Sequence, residues 1–522
     1  MVAIEHASLL LSKWTLIVLA LSLLIIGYKA FKIARYQLIL SKIPKWRRHK
    51  GLFGAWEDAR EYRDDSARIL REGYERYSKH GQWYQLSTPT RWVTVIPPKS
   101  IEEIRAVSEN VLSSQAALAD ILQTRHLVSP IVEEQKFHFA IVKSHVTPNL
   151  EVQVTDIMDE MQRAFADEIG SPKEFRPIVM AHAAHRITTR TANRMLVGAP
   201  LCRNEEYLDM TVKYTTDLFG GADRVRAYPD TLKGLLSRYT TNIHARQDIA
   251  RKHLIPYITA RLEQENHYQK LGKIEEWRRI QPQDSLQWII NAAPNGKERE
   301  PDRLMLRVLH LNVTAVHTTS VTFLNCMFDL AYRPEIIPEL REEVVKAVSA
   351  FGWTKKGLNE MKKIDSFMVE SQRVTPMSST QMTRGVLKDI TLSDGTTLPA
   401  GSWVFAPMEA MYHDPTLFPD PERFDHLRSW RKRGGDSPNE AVGRHQFVST
   451  SASRISFGHG NAACPGRFFA ANEIKMMLAH VLLRYDVVLE HHEPPKPRWY
   501  DRTRIPNLGA RVLFKARETV EL

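Results

Sequence analysis

A single cysteine, held in a glycine-bounded loop that leads into a long apolar helix, constrains this chain more than any other feature. The segment is ISFGHGNAACPGRFFAANEIKMMLAHVLLRY, residues 455–485. Pro465 fixes φ directly after Cys464 and suits the first position of a helix, whose positive end favours a thiolate. Gly458 and Gly460 allow the tight turn that brings backbone close to a flat group. The pattern predicts a thiolate of the kind that binds haem iron, or else an inert core cysteine.

Composition excludes several classes of protein. Three cysteines among 522 residues rule out a disulfide scaffold and a multi-cysteine zinc module. The formal charge of +12 at first suggests a nucleic acid or an anionic membrane as partner. However, nine Lys and Arg stand against one acid in residues 1–50, so the remainder of the chain is close to neutral. We therefore expect no nucleic-acid partner.

The first fifty residues are predicted to attach the chain to a membrane. No charge occurs between Trp14 and Tyr28, and the apolar run extends from Leu9 to Phe31 if the flanking lysines reach the interface. The basic C-terminal flank predicts a cytosolic body. The expected location is the endoplasmic reticulum membrane. A cleaved signal peptide is the alternative. The predicted divisions are an anchor at residues 1–35, a basic linker at 36–55 and one catalytic domain at 56–522.

Helical periodicity dominates the body, with strand signals in a few places. Residues 151–200, 236–270 and 302–349 have helical spacing, whereas residues 84–96, 381–406 and the C-terminal VVLEHH and ARVLFK segments are predicted strands. Asp394-Gly395 predicts a hairpin turn, and Pro399-Ala400-Gly401 predicts a second turn. The expected fold class is mainly α with a small β region, forming a single large domain behind an N-terminal transmembrane helix.

The cysteine segment resembles a known signature. Phe457-x-x-Gly460-x-x-x-Cys464-x-Gly466 is similar to the haem-binding motif of the cytochrome P450 superfamily, and CPGRFFA with NEIK resembles its filamentous-fungal branch. The resemblance implies the cytochrome P450 fold and haem b with an axial Cys464 thiolate. One position departs from the pattern, because Ala462 stands where a basic residue usually contacts a haem propionate.

Two further segments match the family in order and separation. Glu370-Ser-Gln-Arg373 resembles its E-x-x-R helix, and the PERF run at 421–424 matches the segment that supplies a third member, Arg423. The resemblance implies that Glu370, Arg373 and Arg423 form a buried structural triad. Without the resemblance, an i, i+3 Glu–Arg pair is usually a surface ion pair.

A long apolar helix carries a polar notch in its middle. Thr314-Ala315-Val316-His317-Thr318 resembles the family's oxygen-activation motif A/G-G-x-D/E-T. The resemblance implies catalytic roles for the Thr318 hydroxyl, as a proton-donating group, and for His317, which replaces the usual acid. The alternative is that Thr318 and Thr319 only bond back to carbonyls one turn earlier in a buried helix.

The resemblance also assigns residues to the cofactor and the substrate. Arg384 is expected to bind a haem propionate. Lys143, which ends an altered W-x-x-x-R motif at Phe139–Lys143, is expected to bind a propionate as well, or else to belong to a solvated helix face. Arg467 and Lys475 are candidate docking charges for a redox partner, or else part of a solvated face. The predicted substrate pocket consists of Thr314, Ala315, Thr319, Met377 and Ser378.

The predicted activity is a haem-thiolate monooxygenase that hydroxylates or successively oxidises a small lipophilic secondary metabolite. No glycine-rich nucleotide fingerprint follows a strand, so NADPH is expected to act indirectly, through an NADPH–cytochrome P450 reductase. LVGAPLCRNEEYL, AVHTTSVTFLN and GNAACPGRFFAANEIK resemble fungal terpenoid oxidases such as the ent-kaurene oxidases. Indole-terpene, polyketide and alkaloid substrates stay open as alternatives. The rival functions are an oxygen-independent haem-thiolate isomerase or dehydratase and a haem-free anchored binding protein.

Overall fold

Helices make up most of the fold. The structure, a computed structural model, describes residues 2–294, 296–435 and 442–518, with the side chains of residues 2–20, 25 and 442 outside that description. The α-helices are α1 (Val2–Ser41), α2 (Gly54–Asp64), α3 (Ser66–Arg76), α4 (Ile101–Ala106), α5 (Ser114–Leu122), α6 (Thr124–Leu127), α7 (Pro130–Glu134), α8 (Phe137–Ile141), α9 (Thr147–Glu168), α10 (Met180–Leu196), α11 (Glu205–Arg226), α12 (Asp230–Thr240), α13 (Ile243–Lys270), α14 (Ile274–Ile280), α15 (Ser285–Ala292), α16 (Pro301–Tyr332), α17 (Ile337–Phe351), α18 (Lys355–Glu360), α19 (Lys362–Val374), α20 (Met408–Tyr412), α21 (Arg428–Lys432) and α22 (Arg467–Arg484).

Shorter elements connect these helices. A π-helical turn spans Val142–Val146, and the 3₁₀ turns are Ser78–His80, Pro98–Ser100, Leu201–Arg203, Gly296–Arg299, Pro334–Ile336, Val442–Arg444 and Gly460–Ala462. The strands are β1 (Tyr84–Ser87), β2 (Trp92–Val95), β3 (Leu112–Ser113), β4 (Arg176–Val179), β5 (Gln381–Val386), β6 (Ile390–Thr391), β7 (Thr397–Leu398), β8 (Trp403–Ala406), β9 (Tyr485–Leu489), β10 (Arg498–Tyr500), β11 (Thr503–Ile505) and β12 (Arg511–Ala516).

The central element is α16, a 32-residue helix that starts with Pro301 at a position where a missing N–H costs nothing. It packs along α10, α11, α13 and α22 inside the largest hydrophobic cluster. Between Leu304 and Ala331 every residue is buried except Thr314, Ala315, His317 and Thr318. A helix enclosed on all sides thus keeps accessible surface only at its polar notch, so the notch borders a space inside the fold.

Two sheets flank the helical core. The larger has the strand order β1-β2-β8-β5-β3, with β2 and β8 parallel and the other pairs antiparallel. Arg384 of β5 pairs with Val404 of β8 in this sheet. The smaller sheet, β4-β12-β9, follows directly from α22 because β9 starts where that helix ends. The two pairs β10-β11 and β6-β7 complete the β region.

The mainly helical class with a small β region is confirmed, and the differences are local. The predicted strand segments all contain strands, and Asp394-Gly395 lies in the β6–β7 hairpin with Gly395 at φ 82°. The helical stretch predicted over residues 151–200 is interrupted, because Gly170 adopts φ 71° and the chain then forms β4. Strands β3, β4, β10 and β11 were not predicted, since two to four residues carry too little alternation to be recognised.

The N-terminal helix joins the body through a packed segment. Helix α1 continues to Ser41, past the predicted boundary at residue 35, and Leu40 and Ile43 are buried. The Gln85 side-chain amide donates to the carbonyls of both residues, at 2.6 and 2.8 Å. Part of the predicted linker therefore belongs to the core.

Among the residues whose surroundings are described, no helix has the length and apolarity needed to cross a bilayer. Most of the predicted anchor, residues 1–20 and Ile25, lies outside that description.

Candidate active site

The loop before Cys464 is fixed by its own backbone. The Cys464 N–H donates to the Phe457 carbonyl at 2.7 Å, and the Gly458 N–H donates to Ile455 at 2.7 Å. Gly458 and Gly460 adopt φ 71° and 72°, a conformation that L side chains rarely take. At Gly460 an added Cβ would also meet the Arg105 Cβ at 2.8 Å. Both glycines that the sequence singled out are therefore required by the turn.

The Cys464 thiol lies at the boundary between protein and accessible space. Its residue surface is exposed, but burial by surrounding atoms raises the pKa of the thiol. The Gly466 N–H, and then the charge and N–H of Arg467, act in the opposite direction by favouring the thiolate. Helix α22 begins at Arg467 rather than at the predicted Pro465, so Pro465 and Gly466 form a turn that directs these N–H groups at sulfur. A metal cation at this point would favour the thiolate further.

Of the two residues predicted as docking charges, Lys475 is buried, which corrects that interpretation, whereas Arg467 is partly exposed and its docking role stays a prediction. Arg467 donates to the Cys464 carbonyl at 2.7 Å and to the Val448 carbonyl at 3.0 Å, so it braces the cysteine loop. Lys475 is buried, lies 3.2 Å from Asp365 and donates to the Leu358 carbonyl. Lys475 is therefore not a surface cation, whereas Arg467 keeps accessible surface beside the cysteine loop.

On α16, Thr314 and Thr318 lie one turn apart and are both exposed to the internal space. The Thr318 hydroxyl donates to the Thr314 carbonyl at 2.9 Å, which is the back-bonded arrangement considered as the alternative. That bond uses the single hydroxyl proton and leaves the oxygen lone pairs free to accept from water. Ala315 is half-buried beside them. Thr319, predicted to line the pocket, is buried at 2% exposure because it lies about 100° further around the helix, which corrects its assignment.

His317, one residue before Thr318 on α16, also keeps accessible surface. Its ring lies 5.9 Å from the His185 ring and 5.5 Å from the Phe219 ring, centroid to centroid. Burial, and secondly charge repulsion from His185, lower the pKa of His317 to about 4. The imidazole is therefore neutral at pH 7 and able to accept or pass on a proton.

Arg384 provides the observation that tests whether these residues fit a haem. It is 6% exposed, and its Nη1 donates to the Thr383 carbonyl at 2.9 Å. Burial lowers the pKa of Arg384, and the charge of Glu109 opposes that shift. Among the described residues, Arg384 forms no ion pair within 4 Å. A buried guanidinium without an anion is costly. A carboxylate such as a haem propionate would compensate it, so the residues fit the group.

Lys143 lies in the π-helical turn beside the cysteine loop. Its neighbour Val142 packs against the loop, because a Cβ built on Gly466 would lie 3.8 Å from a Val142 methyl carbon. Lys143 itself is exposed, and its role towards a propionate stays a prediction.

The buried acid–base network has a different third member from the one predicted. Arg373 donates to Glu370 through Nε at 3.0 Å and Nη2 at 2.8 Å, and both residues are at most 3% exposed. Arg428 of α21 adds the third charge, with its Nε 3.2 Å from Glu370. Arg423 is exposed and contributes its carbonyl, which accepts from Arg428 at 3.1 Å. The PERF match located the right segment, but only the folded chain shows which arginine side chain turns inward.

A small cavity joins the cysteine loop to α16. Thr322, one turn after Thr318, lines it together with Met377, Ser378 and Ser456, which stands directly before Phe457. Its volume of about 50 Å³ admits water. Ligand pockets for drug-sized molecules measure about 300–1,000 Å³. Met377 and Ser378 therefore border a water-sized cavity, and the accessible face of Thr314, Ala315 and Thr318 lies on a separate part of α16.

Comparisons with known proteins agree with this geometry. The sequence pattern of the family "Cytochrome P450" matches residues 44–508. "Cytochrome P450 monooxygenase 151" of Postia placenta is 35% identical over 87% of this chain and 90% of its own length. "Cytochrome P450 monooxygenase AN1598" of Emericella nidulans is 32% identical over 86% and 83%, and "Cytochrome P450 monooxygenase bsc11" of Alternaria brassicicola is 31% identical over 87% and 88%.

Proposed function

The chain belongs to the cytochrome P450 family, and from this premise we propose that it oxidises a lipophilic secondary metabolite of the terpenoid class at a membrane surface. The protein is a cytochrome P450 monooxygenase with a haem-thiolate cofactor. The single observation that supports oxidation chemistry at α16 is the polar notch, since Thr314, Ala315, His317 and Thr318 are the residues of α16 between Leu304 and Ala331 that keep accessible surface.

The haem, when bound, supplies dioxygen activation and the oxidation of an unactivated C–H bond. The chain supplies the surroundings for this chemistry. Cys464 would bind the haem iron through its thiolate, and the N–H groups of Gly466 and Arg467 favour negative charge on its sulfur. Arg384 would compensate the charge of a propionate. On α16, the Thr318 hydroxyl donates its hydrogen bond to the Thr314 carbonyl, so its oxygen lone pairs are free to accept a hydrogen bond from water. A water molecule bound to the Thr318 oxygen would lie beside the site where monooxygenation takes up protons.

A lipophilic substrate is supported by the character of the N-terminal helix. Most of its described apolar side chains are exposed, among them Leu23 at 60%, Leu24 at 69% and Phe31 at 65%. Leaving such a row in water is unfavourable, whereas a bilayer accepts it. The basic residues that follow suit anionic headgroups on the cytosolic side. We infer a single-pass attachment to the endoplasmic reticulum membrane, where apolar substrates concentrate.

Electrons must come from a partner. Cytochromes P450 generally use a reductase. For a membrane-attached member we infer the NADPH–cytochrome P450 reductase of the same membrane. The terpenoid class rests on the resemblance of the segments around Cys202, Thr318 and Cys464 to terpenoid oxidases.

Product formation tests the substrate class. The full chain is co-expressed with a fungal reductase, and its microsomes are supplied with NADPH, ¹⁸O₂ and four probes: a diterpene hydrocarbon, an indole diterpene, an aromatic polyketide and an indole alkaloid. We expect ¹⁸O in a product of the diterpene hydrocarbon and none with Cys464→Ala. Oxidation of the polyketide or alkaloid alone would contradict the terpenoid assignment. Resistance of the chain to alkaline carbonate extraction tests the membrane attachment, and complete release would contradict it.

A further inference from the structure

A pair of partly buried histidines connects the catalytic helix to the protein surface. His317 of α16 and His185 of α10 have ring centroids 5.9 Å apart, with an angle of 49° between their planes. Helices α10 and α16 pack against each other along much of their length. No hydrogen bond reaches the His317 ring within residues 2–294, 296–435 and 442–518, and the residue keeps accessible surface. One water molecule can therefore bridge the two rings.

His185 is held in a defined tautomer. Its Nδ1 lies 3.0 Å from the Ala181 carbonyl oxygen, one turn earlier in α10. A carbonyl oxygen only accepts, so Nδ1 carries the proton and the neutral ring keeps its lone pair on Nε2. Nε2 is thus the one ring atom of His185 that can take up and release a proton. A histidine that served only to fill space would not need this bond.

The outer end of the pair reaches solvent. His182, one turn before His185 on the same face of α10, is 73% exposed, and its Nε2 lies 3.8 Å from Glu168. Arg186 donates to Glu168 at 3.1 Å and also pairs with Glu205. The charged and titratable groups beside the pair are therefore on the solvent side, whereas α11 contributes the apolar ring of Phe219.

We propose that His185 relays protons from solvent at His182 and Glu168 to His317, which delivers them to water beside Thr318. His185 takes a proton at Nε2, releases it to the bridging water, and His317 takes and releases it in turn. Each transfer breaks one N–H or O–H bond and forms another, and no electron moves. The solvent supplies the protons that monooxygenation consumes together with the reductase's electrons. The proposal rests on the monooxygenase activity and is independent of the terpenoid assignment.

The electrostatics support rapid transfer. Burial lowers the pKa of His185, the bond to Ala181 opposes that shift, and the charge of His182 lowers the pKa again. Burial lowers the pKa of His317 to about 4. Both rings are neutral at pH 7, so each can accept a proton and neither retains it.

The first test measures how electrons are partitioned. Full-length holoenzyme and reductase are reconstituted in phosphatidylcholine vesicles without added substrate, and hydrogen peroxide per NADPH consumed is measured in H₂O and D₂O. His185→Phe keeps the ring and loses the nitrogens, and we expect slower NADPH consumption, by up to about 10²-fold, and a larger peroxide fraction. His480→Phe is the matched control, because His480 is a buried histidine packed on Phe165 in another part of the core. Combined with His317→Phe, the His185 change should add nothing further.

The second test does not depend on turnover. In ¹⁵N-histidine-labelled, reduced and CO-bound enzyme, removing the His185 charge should raise the titration midpoint of His317, and His480→Phe should leave it unchanged. His185→Gln replaces His185→Phe if the latter loses its haem spectrum. An unchanged peroxide fraction, solvent isotope effect and His317 midpoint in the His185 variant would overturn the relay. Because neither test uses a terpene, a wrong substrate class leaves both results readable.

Discussion

The two sides of the site differ in how tightly their residues are held. On the cysteine side, Cys464, Arg467 and the Glu370–Arg373–Arg428 network are fixed by hydrogen bonds to backbone and to one another. On the α16 side, the Thr318 hydroxyl has one hydrogen bond among the described residues, and Thr314, Ala315 and His317 keep accessible surface. Substitutions on the cysteine side should therefore change folding and haem retention, whereas substitutions on the α16 side should change chemistry in an intact fold.

The largest expected effect on stability comes from the buried ion network. Arg373→Ala leaves the Glu370 carboxylate buried with only Arg428 as charge partner, and removing one member of a buried pair costs about 3–5 kcal/mol. We expect a lower urea midpoint and loss of haem on purification. A variant with wild-type haem content and midpoint would contradict the buried role.

The next effect concerns pH and the buried histidines. Burial lowers the pKa of His310 to about 4, and neither ring nitrogen has a partner among the described residues. The unfolded chain binds a proton below about pH 6.5 and the folded chain does not, so stability is full above that pH and declines as pH falls towards 4. One such group contributes up to about 3 kcal/mol to the decline. His310→Phe should flatten the decline measured by urea midpoints at several pH values; an equally steep decline would contradict this reading.

Two arginines that are five positions apart sharpen the comparison. Arg428→Ala removes a charge from Glu370 and should cost about 2 kcal/mol, because the carboxylate loses part of its compensation. Arg423→Ala, the matched control, removes an exposed side chain and should stay within about 0.5 kcal/mol. The thermal midpoints of the two holoenzymes measure this difference. A larger loss of stability in the Arg423 variant would support Arg423 as the third member of the triad, as the sequence predicted.

The smallest effect on stability is expected at Thr318. Alanine is a better helix former, so Thr318→Ala should shift the thermal midpoint little and leave the CO spectrum unchanged. Its hydroxyl oxygen no longer holds water, so the hydrogen peroxide produced per NADPH should rise. Thr319→Ala is the control, since that hydroxyl is buried away from the internal space. Equal coupling in both variants would contradict the division between the two sides.

Sequence reasoning succeeded where spacing along the chain determines geometry. Gly458, Gly460 and Cys464 lie within one short loop, and Glu370 and Arg373 lie one helical turn apart. Local rules of backbone geometry therefore predict their relative positions. It failed where contacts between separate elements determine the geometry. Whether the Arg423 or the Arg428 side chain turns inward depends on the packing of α21 on α19. The His185–His317 contact joins residues on different helices, and no local pattern predicts it. Thr319 differs from Thr318 by one position, yet the helix turns it into the core.

The assignment of Cys464 as the thiolate that binds haem iron underlies both sides of the site. The reduced, CO-bound absorbance spectrum of the full-length protein tests this assignment, with Cys464→Ala and Cys202→Ala as a pair, since Cys202 is a buried cysteine distant in sequence. We expect a thiolate-type Soret shift for the wild type and for Cys202→Ala, and its loss in Cys464→Ala. A thiolate-type spectrum that persists in Cys464→Ala, or that is missing from haem-loaded wild-type protein, would show that Cys464 is not the ligand.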